Sequence, residues 1–338
     1  MNFVSLGDIA QIFQMQHRNV QLKTLAARLG HELGSGVKQD TGAAVRGDFT
    51  ALAGVERSLT TLTAYATATA EAAQHAATQQ TALASIQSVT SATGPTLLAA
   101  SGSGASTAVI AAAANDARQQ FGFVIAALNT STAGRFAFSG ARSDAAPLIP
   151  VQAMLTALAA AVAGLTSPAA ISDAISDWFD APAGGGGYLD TAYTGGMPQA
   201  EIALGAADAV ALDVTAADPL VRDMLKGLAL ASLIAEGTLA GDIAGQSALL
   251  LAAGQQVLTA DGDLTFLRSG IGAAEARIDE ATSRNSAEAT MLQIARAGML
   301  AADPYETATA LQATETQLET LYTLTARLSR LSLTDYLS

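Results

Sequence analysis

The sequence predicts a mainly α fold, with N- and C-terminal helices paired in a coiled-coil-like bundle and a central α+β insertion containing a β-hairpin. Three observations lead there. Both ends carry apolar residues at helical spacing. The flanking stretches are long, rich in alanine and threonine, and seldom interrupted. One central stretch shows apolar residues alternating around a turn. The composition agrees with this. Half of the residues are apolar but aromatics reach only 5%, and alanine combines high helix propensity with little packing volume. Long, closely packed helices suit such a chain better than one wide core.

At the N-terminus, Ile9, Ile12, Phe13, Val20, Leu22, Leu25, Leu29 and Leu33 form a helical stripe that ends near Gly34–Gly36. Arg46-Gly47-Asp48 then opens a helix from about Phe49 to Thr90. "SATGPTLLAASGSG", residues 91–104, reads as a break because of its glycine, serine and proline. A further helix is expected from about Ala105 to Thr132, burying Val109, Ile110, Phe121, Val124, Ile125 and Leu128. Phe136 and Phe138 alternate, and an apolar helix follows near Val151 to Leu165.

Residues 167–219 differ in character. They hold Trp178, a flexible glycine run at Gly184–Gly187, and "AEIALGAADAVALDV" (200–214), whose two alternating runs flank a Gly-Ala-Ala-Asp turn. Asp218 and Pro219 read as the cap and first turn of the next helix. Helices are then expected from Asp242 to Thr259 and from about Leu264 to Ala302, with "DGD" (261–263) as a turn between them.

The last helix has a clear start: Asp303 as N-cap, Pro304 at the first position and Glu306 three residues after the cap. No glycine or proline follows up to Leu337, which gives a helix roughly 50 Å long at 1.5 Å per residue. Leu311, Leu318, Leu321, Leu324, Leu328 and Leu331 recur mostly at three, four or seven, Thr314 and Thr325 fill gaps, and the apolar character runs on to Tyr336 and Leu337. Residues 1–38 carry a net charge of +2 and residues 303–338 a net charge of −3. Opposite signs favour pairing of the two ends, at tenths of a kcal/mol per surface pair. Burial of several leucines, about 1.5–3 kcal/mol each, contributes more. Two ordinary amphipathic helices docking on a common core would show the same pattern.

Other functions find little support. A net charge of −13 argues against nucleic-acid binding. With no cysteine there are no disulfides, thiolate metal sites or cysteine nucleophiles. His17, His31 and His75 lie on expected helices without metal-ligand spacing. "SGSGAST" (101–107) lacks the lysine of a phosphate-binding loop and reads as a linker, and no G-x-S-x-G elbow is present. No catalytic, cofactor or metal residue is therefore expected. The apolar runs are shorter than the roughly 18–20 residues of a membrane helix. "MNFVSLGDIAQIF" lacks the basic start of a secretory signal, so export without a cleaved leader is expected.

Several motifs, taken in order, resemble the flagellin-like family of bacterial flagellar axial proteins. They are "LGSGVKQD" (33–40), "NTSTAGRFAFSGARSDAAPL" (129–148), "RSGIGAAEARI" (268–278) and the terminal "LSLTDYL" (331–337). "RFAFSGARSD" is similar to the Phe-x-Phe-x-Gly segment of the hook-associated members at the hook–filament junction. "GGGGYLDTAYTGG" (184–196) and "SLTDYL" are similar to the same members. The similarity covers about residues 1–50, 105–148 and 265–338. "GSGVKQDTGAAV" (34–45) departs from the family's serine-serine-glycine and double-aspartate pattern.

The resemblance implies three layers: a terminal coiled-coil domain from 1–40 and 300–338, a helical bundle from 41–140 and 240–299, and a variable outer α+β domain at 141–239. It also implies a structural adaptor joining hook to filament, outside the cell and delivered by flagellar type III export. Its partners would be copies of itself in a ring-like homo-oligomer, a neighbouring hook-associated protein, flagellin and an export chaperone. A flagellin that forms the filament is the nearest alternative. A helical signalling or receptor coiled-coil protein is the alternative from another class.

Overall fold

A computed structural model describes residues 6–337, with side chains described at 10, 11 and 13–327. Among these residues the elements run α1 (Leu6–Ser35), α2 (Thr41–Ala44), α3 (Thr50–Ala100), α4 (Thr107–Leu128), β1 (Ser131–Thr132), β2 (Arg135–Phe136), α5 (Val151–Ala161), α6 (Pro168–Asp180) and α7 (Tyr188–Thr191). They continue with β3 (Ile202–Gly205), β4 (Asp208–Val210), α8 (Pro219–Ala235), α9 (Ile243–Leu300) and α10 (Pro304–Leu337). The fold is mainly α with two antiparallel hairpins, as the sequence predicts. Two compact units are present. One holds the residues up to Thr63 and from Ser286 on; the other spans Ala64–Asn285.

The second unit is built around α8. Asp218 caps it, its side chain accepting from Leu220 N at 2.9 Å, and Pro219 begins it. From Met224 to Ile234 every residue of α8 is buried, so this helix is apolar nearly all round, as a central core helix must be. Helices α4, α5 and α6 pack on it. At Gly227 a side-chain carbon would lie 2.7 Å from the Val257 side chain and 3.0 Å from its backbone nitrogen, so glycine lets α8 and α9 cross closely. Trp178, Phe179 and Tyr188 form an aromatic cluster beside α8, with ring centroids 4.9–5.9 Å apart. The Tyr188 hydroxyl donates to the Ala216 carbonyl at 2.7 Å, and full burial drives its pKa far above the ordinary phenol value. Lys226, the buried cation of α8, is held by Asp180 at 2.6 Å and Asp223 at 2.7 Å.

Tertiary packing overrides several local signals. Helix α3 does not stop at 91–104 but runs through Gly94-Pro95 to Ala100. A side-chain carbon on Gly94 would meet Leu258 at 2.9 Å, and one on Gly254 would meet Leu98 at 2.9 Å. The two glycines are where α3 and α9 approach, and burial of Leu97 outweighs the hydrogen bond that Pro95 forgoes. Helix α9 likewise continues through Asp261–Asp263. Asp261 accepts the Thr90 hydroxyl at 2.9 Å, between the buried Ala260 and Leu264. Val109 is exposed because it sits in the first turn of α4, its N–H held by the capping Ser106. The Gly184–Gly187 run is tied down rather than free: Asp190 accepts from Gly184 N and Gly186 N, which keeps its carboxyl below the usual range. At Gly187 a side-chain carbon would strike the Trp178 carbonyl at 2.2 Å.

Candidate assembly site

Within the first unit, α1 packs against α10. Helix α1 ends where Gly36 takes a positive φ of 70° and its N–H reaches the Glu32 carbonyl at 2.8 Å. The chain then pairs with the segment preceding α10: Val37 bridges Ala301 in antiparallel sense, Lys38 N donates to Leu300 O at 2.8 Å, and Ala302 N donates to Gly36 O at 2.9 Å. The Asp303 side chain accepts from Tyr305 N at 2.8 Å and Glu306 N at 3.0 Å, the cap expected for α10. The two helices therefore run antiparallel from a closed end. Further along, Thr325 Oγ1 meets Met15 S at 4.0 Å, and Lys23 Nζ lies 5.8 Å from the Tyr322 ring centroid. Hydrogen bonds from Lys23 and then Asn19 pull the Tyr322 hydroxyl below its ordinary pKa.

Of the residues expected at the terminal interface, Leu29 and Leu321 are buried, and Leu25, Leu311 and Leu318 are half-buried. Phe13 and Val20 are 67% and 65% exposed, and Leu33 and Leu324 are exposed as well. Ile9, Leu328, Leu331, Tyr336 and Leu337 lie outside the residues whose side chains are described. The seam follows heptads: Thr307, Thr314 and Leu321 are buried at intervals of seven, with Leu311 and Leu318 between them. Leu324 falls off this seam, and so do Phe13 and Val20, which lie seven apart on α1. Sequence periodicity does not single out the buried Glu32; an acidic side chain in an amphipathic helix reads as solvated, and only the packing reveals it.

A groove of about 480 Å³ lies near the closed end, lined by Val37, Leu59, Ala297 and Leu300 together with the ion-paired Glu56 and Arg296. Tyr305, Met291 and Ile294 of this unit are also exposed.

In the second unit, two motifs some sixty residues apart in sequence meet. Asn129 and Leu148 clamp each other: Asn129 Oδ1 accepts from Leu148 N at 2.9 Å and Nδ2 donates to Leu148 O at 3.0 Å. Between them, β1 and β2 are joined through Ala133 and Gly134, both at positive φ, the backbone of a tight hairpin turn. Beyond the hairpin, Gln79 Nε2 donates to Ala137 O and Val214 O at 2.9 Å each. The glycine of the Phe-x-Phe-x-Gly segment, Gly140, has φ 61°, and a side-chain carbon there would lie 2.3 Å from the Met197 carbonyl. Ala141 N donates to Met197 O and Gly196 N to Ser139 O, both at 2.8 Å. "FSG" and "TGG" are thus two sides of one backbone junction.

No group of three or more histidine, aspartate or glutamate side chains is placed to hold a metal ion among the described residues. No helix there is long and apolar enough to cross a membrane.

Residues 255–337 match the family model of the bacterial flagellin C-terminal helical region. This end of the chain is flagellin-like. The match covers most of α9 and all of α10, about a quarter of the 338 residues, and it supports a structural protein of the bacterial flagellum. Among solved structures, one provisionally assigned as a flagellar hook-associated protein from Vibrio parahaemolyticus is similar, at 12% identity and a TM-score of 0.36. The similarity covers 69% of this chain and 95% of that one. No curated protein matches the chain.

Proposed function

We propose that this chain is a non-enzymatic structural adaptor of the bacterial flagellum, joining hook to filament by self-association of its terminal helices after export. The observation that carries the reading is the terminal pair itself: its flagellin-like α10 is zipped to α1, yet Phe13 and Val20 point away from the seam without cover. Exposed aromatic and β-branched residues at heptad spacing suit burial between subunits. In this reading residues 1–40 and 300–338 form the inner domain, 41–140 and 240–299 the surrounding bundle, and 141–239 the outer face. The partners are further copies in a ring-like assembly, a neighbouring hook-associated protein, flagellin and an export chaperone. The resemblance of the Phe-x-Phe-x-Gly segment and of "SLTDYL" favours the junction. A second reading, a flagellin that builds the filament, is favoured by the identity of the matched family region.

Immunogold labelling of intact flagella with antibody raised against residues 150–235 separates the two. The adaptor gives a single band just beyond the hook. Label along the whole filament makes the chain a flagellin, and absence of label from every flagellum removes both readings.

A further inference from the structure

The seam between α1 and α10 is nearly periodic, and a periodic seam does not fix its own alignment. On α10, Thr307, Thr314 and Leu321 recur at seven, as do Leu311, Leu318 and Thr325. On α1, Met15, Leu22 and Leu29 do the same. Sliding one helix by a heptad, about 10.5 Å at 1.5 Å per residue, lays Thr307 on the place of Thr314, Leu311 on that of Leu318 and Leu22 on that of Leu29. Thr314 does not discriminate between alignments, because its hydroxyl bonds the Ala310 carbonyl of its own helix at 2.7 Å. Helices that pack through repeated apolar layers need a polar residue to specify one register.

We infer that Glu32 is the positioning residue that sets the register of the terminal helix pair. It follows Leu25 by seven and is the buried charge of a seam whose other buried residues are apolar or threonine. It is only 7% exposed. Its Oε1 accepts from Gln39 N at 3.0 Å, and its own carbonyl accepts from Gly36 N at 2.8 Å. Arg28, one turn earlier, lies 3.9 Å from the same carboxylate oxygen. The segment Gly36–Gln39 is thus held at its first residue by the backbone carbonyl of residue 32 and at its last by the Glu32 side chain. That segment supplies the two backbone hydrogen bonds to Leu300 and Ala302, just before α10. A one-heptad slip carries it away from those partners, and the backbone groups so released lose their bonds. The pairing lies within one chain and holds whether or not copies assemble.

The chain has no cysteine, so introduced pairs report alignment without interference. Met15→Cys with Thr325→Cys reads the observed register, since these side chains touch. Met15→Cys with Leu318→Cys or with Ser332→Cys reads a slip of one heptad in either direction. The full chain is oxidised, and the bonds are assigned on non-reducing gels and by peptide mass. The native pair alone is expected to link in the parent and in Glu32→Gln, whose amide oxygen still accepts from Gln39. Glu32→Leu is expected to raise the ratio of slipped to native bonds at least tenfold. An unchanged ratio in Glu32→Leu overturns the proposal, as does Glu32→Gln behaving like Glu32→Leu. Only interchain bonds in the parent would overturn the intrachain seam while leaving self-association standing.

Discussion

Helix α8 and the α1–α10 pair show two ways of using apolar helices in one chain. Helix α8 is covered on all sides by α4, α5, α6 and α9 and is braced by the aromatic trio Trp178, Phe179 and Tyr188. Helices α1 and α10 cover each other along one narrow seam, threonine at several positions on the α10 side, and leave Phe13 and Val20 in solvent. One unit closes its core with its own residues. The other keeps apolar surface that its own fold does not bury, and the proposed adaptor role needs such a surface.

The sharpest way to break this contrast is to damage the closed core. Phe179 is fully buried and stacks on Tyr188 at 5.3 Å. Phe179→Ala should destabilise the second unit by about 3–5 kcal/mol, measured by denaturant unfolding monitored through Trp178. Protection of the α10 amides against hydrogen exchange should be unaffected. Equal loss in both units would mean that they are energetically one. In the seam, Leu321→Ala should cost less, about 1–3 kcal/mol given its smaller burial and partners able to relax. Its effect should appear as faster amide exchange in α1 and α10 while the α8 amides keep their rates.

A smaller effect belongs to the β3–β4 hairpin, which is fastened to α9 by charge. Asp208 accepts from Arg284 at 2.7 Å and from Arg277 at 3.2 Å, and Asn285 Nδ2 donates to Leu204 O at 2.8 Å. The bond from Arg284, followed by that from Arg277, holds the Asp208 carboxyl below its ordinary value of 3.8. Because the folded pKa is depressed, the attachment is fully present above the unfolded value and is lost as pH falls through the folded one. Amide exchange across residues 203–210 should therefore accelerate only below about pH 4, and Asp208→Asn should abolish that pH dependence.

Much of this architecture is legible from local chemistry. The caps at Asp303 and Asp218, the hairpin around Gly205–Asp208 and the helical termini follow from residue type and spacing. Punctuation is legible only where packing does not override it. Gly94-Pro95 and Asp261-Gly262-Asp263 are written as breaks but lie inside helices, because Leu258 over Gly94 and Thr90 on Asp261 reward continuation. The candidate site is legible as a stripe but not as a seam. Periodicity marks apolar residues over a wide arc, whereas one partner helix covers only part of it, so Leu29 and Phe13 look alike in sequence. Glu32 is hidden for the converse reason, since its burial depends on a backbone donor, Gln39 N, that only the folded turn brings to it.

The smallest predicted effect on stability tests the contrast most directly. Phe13→Ser and Val20→Ser replace residues that α10 does not cover. Surface changes of this kind alter stability by no more than about 0.5 kcal/mol, so unfolding midpoints and the Met15–Thr325 cross-link should match the parent. Self-association should nonetheless be lost, because exposed aromatic and branched anchors contribute binding energy out of proportion to their number. The check is sedimentation of the purified full chain under assembling conditions, alongside complementation of a non-motile strain. If the double substitution assembles like the parent, the open face of α1 is idle surface. If it lowers the unfolding midpoint by several degrees, that face is already buried within one chain, and the distinction between a closed unit and an open one fails.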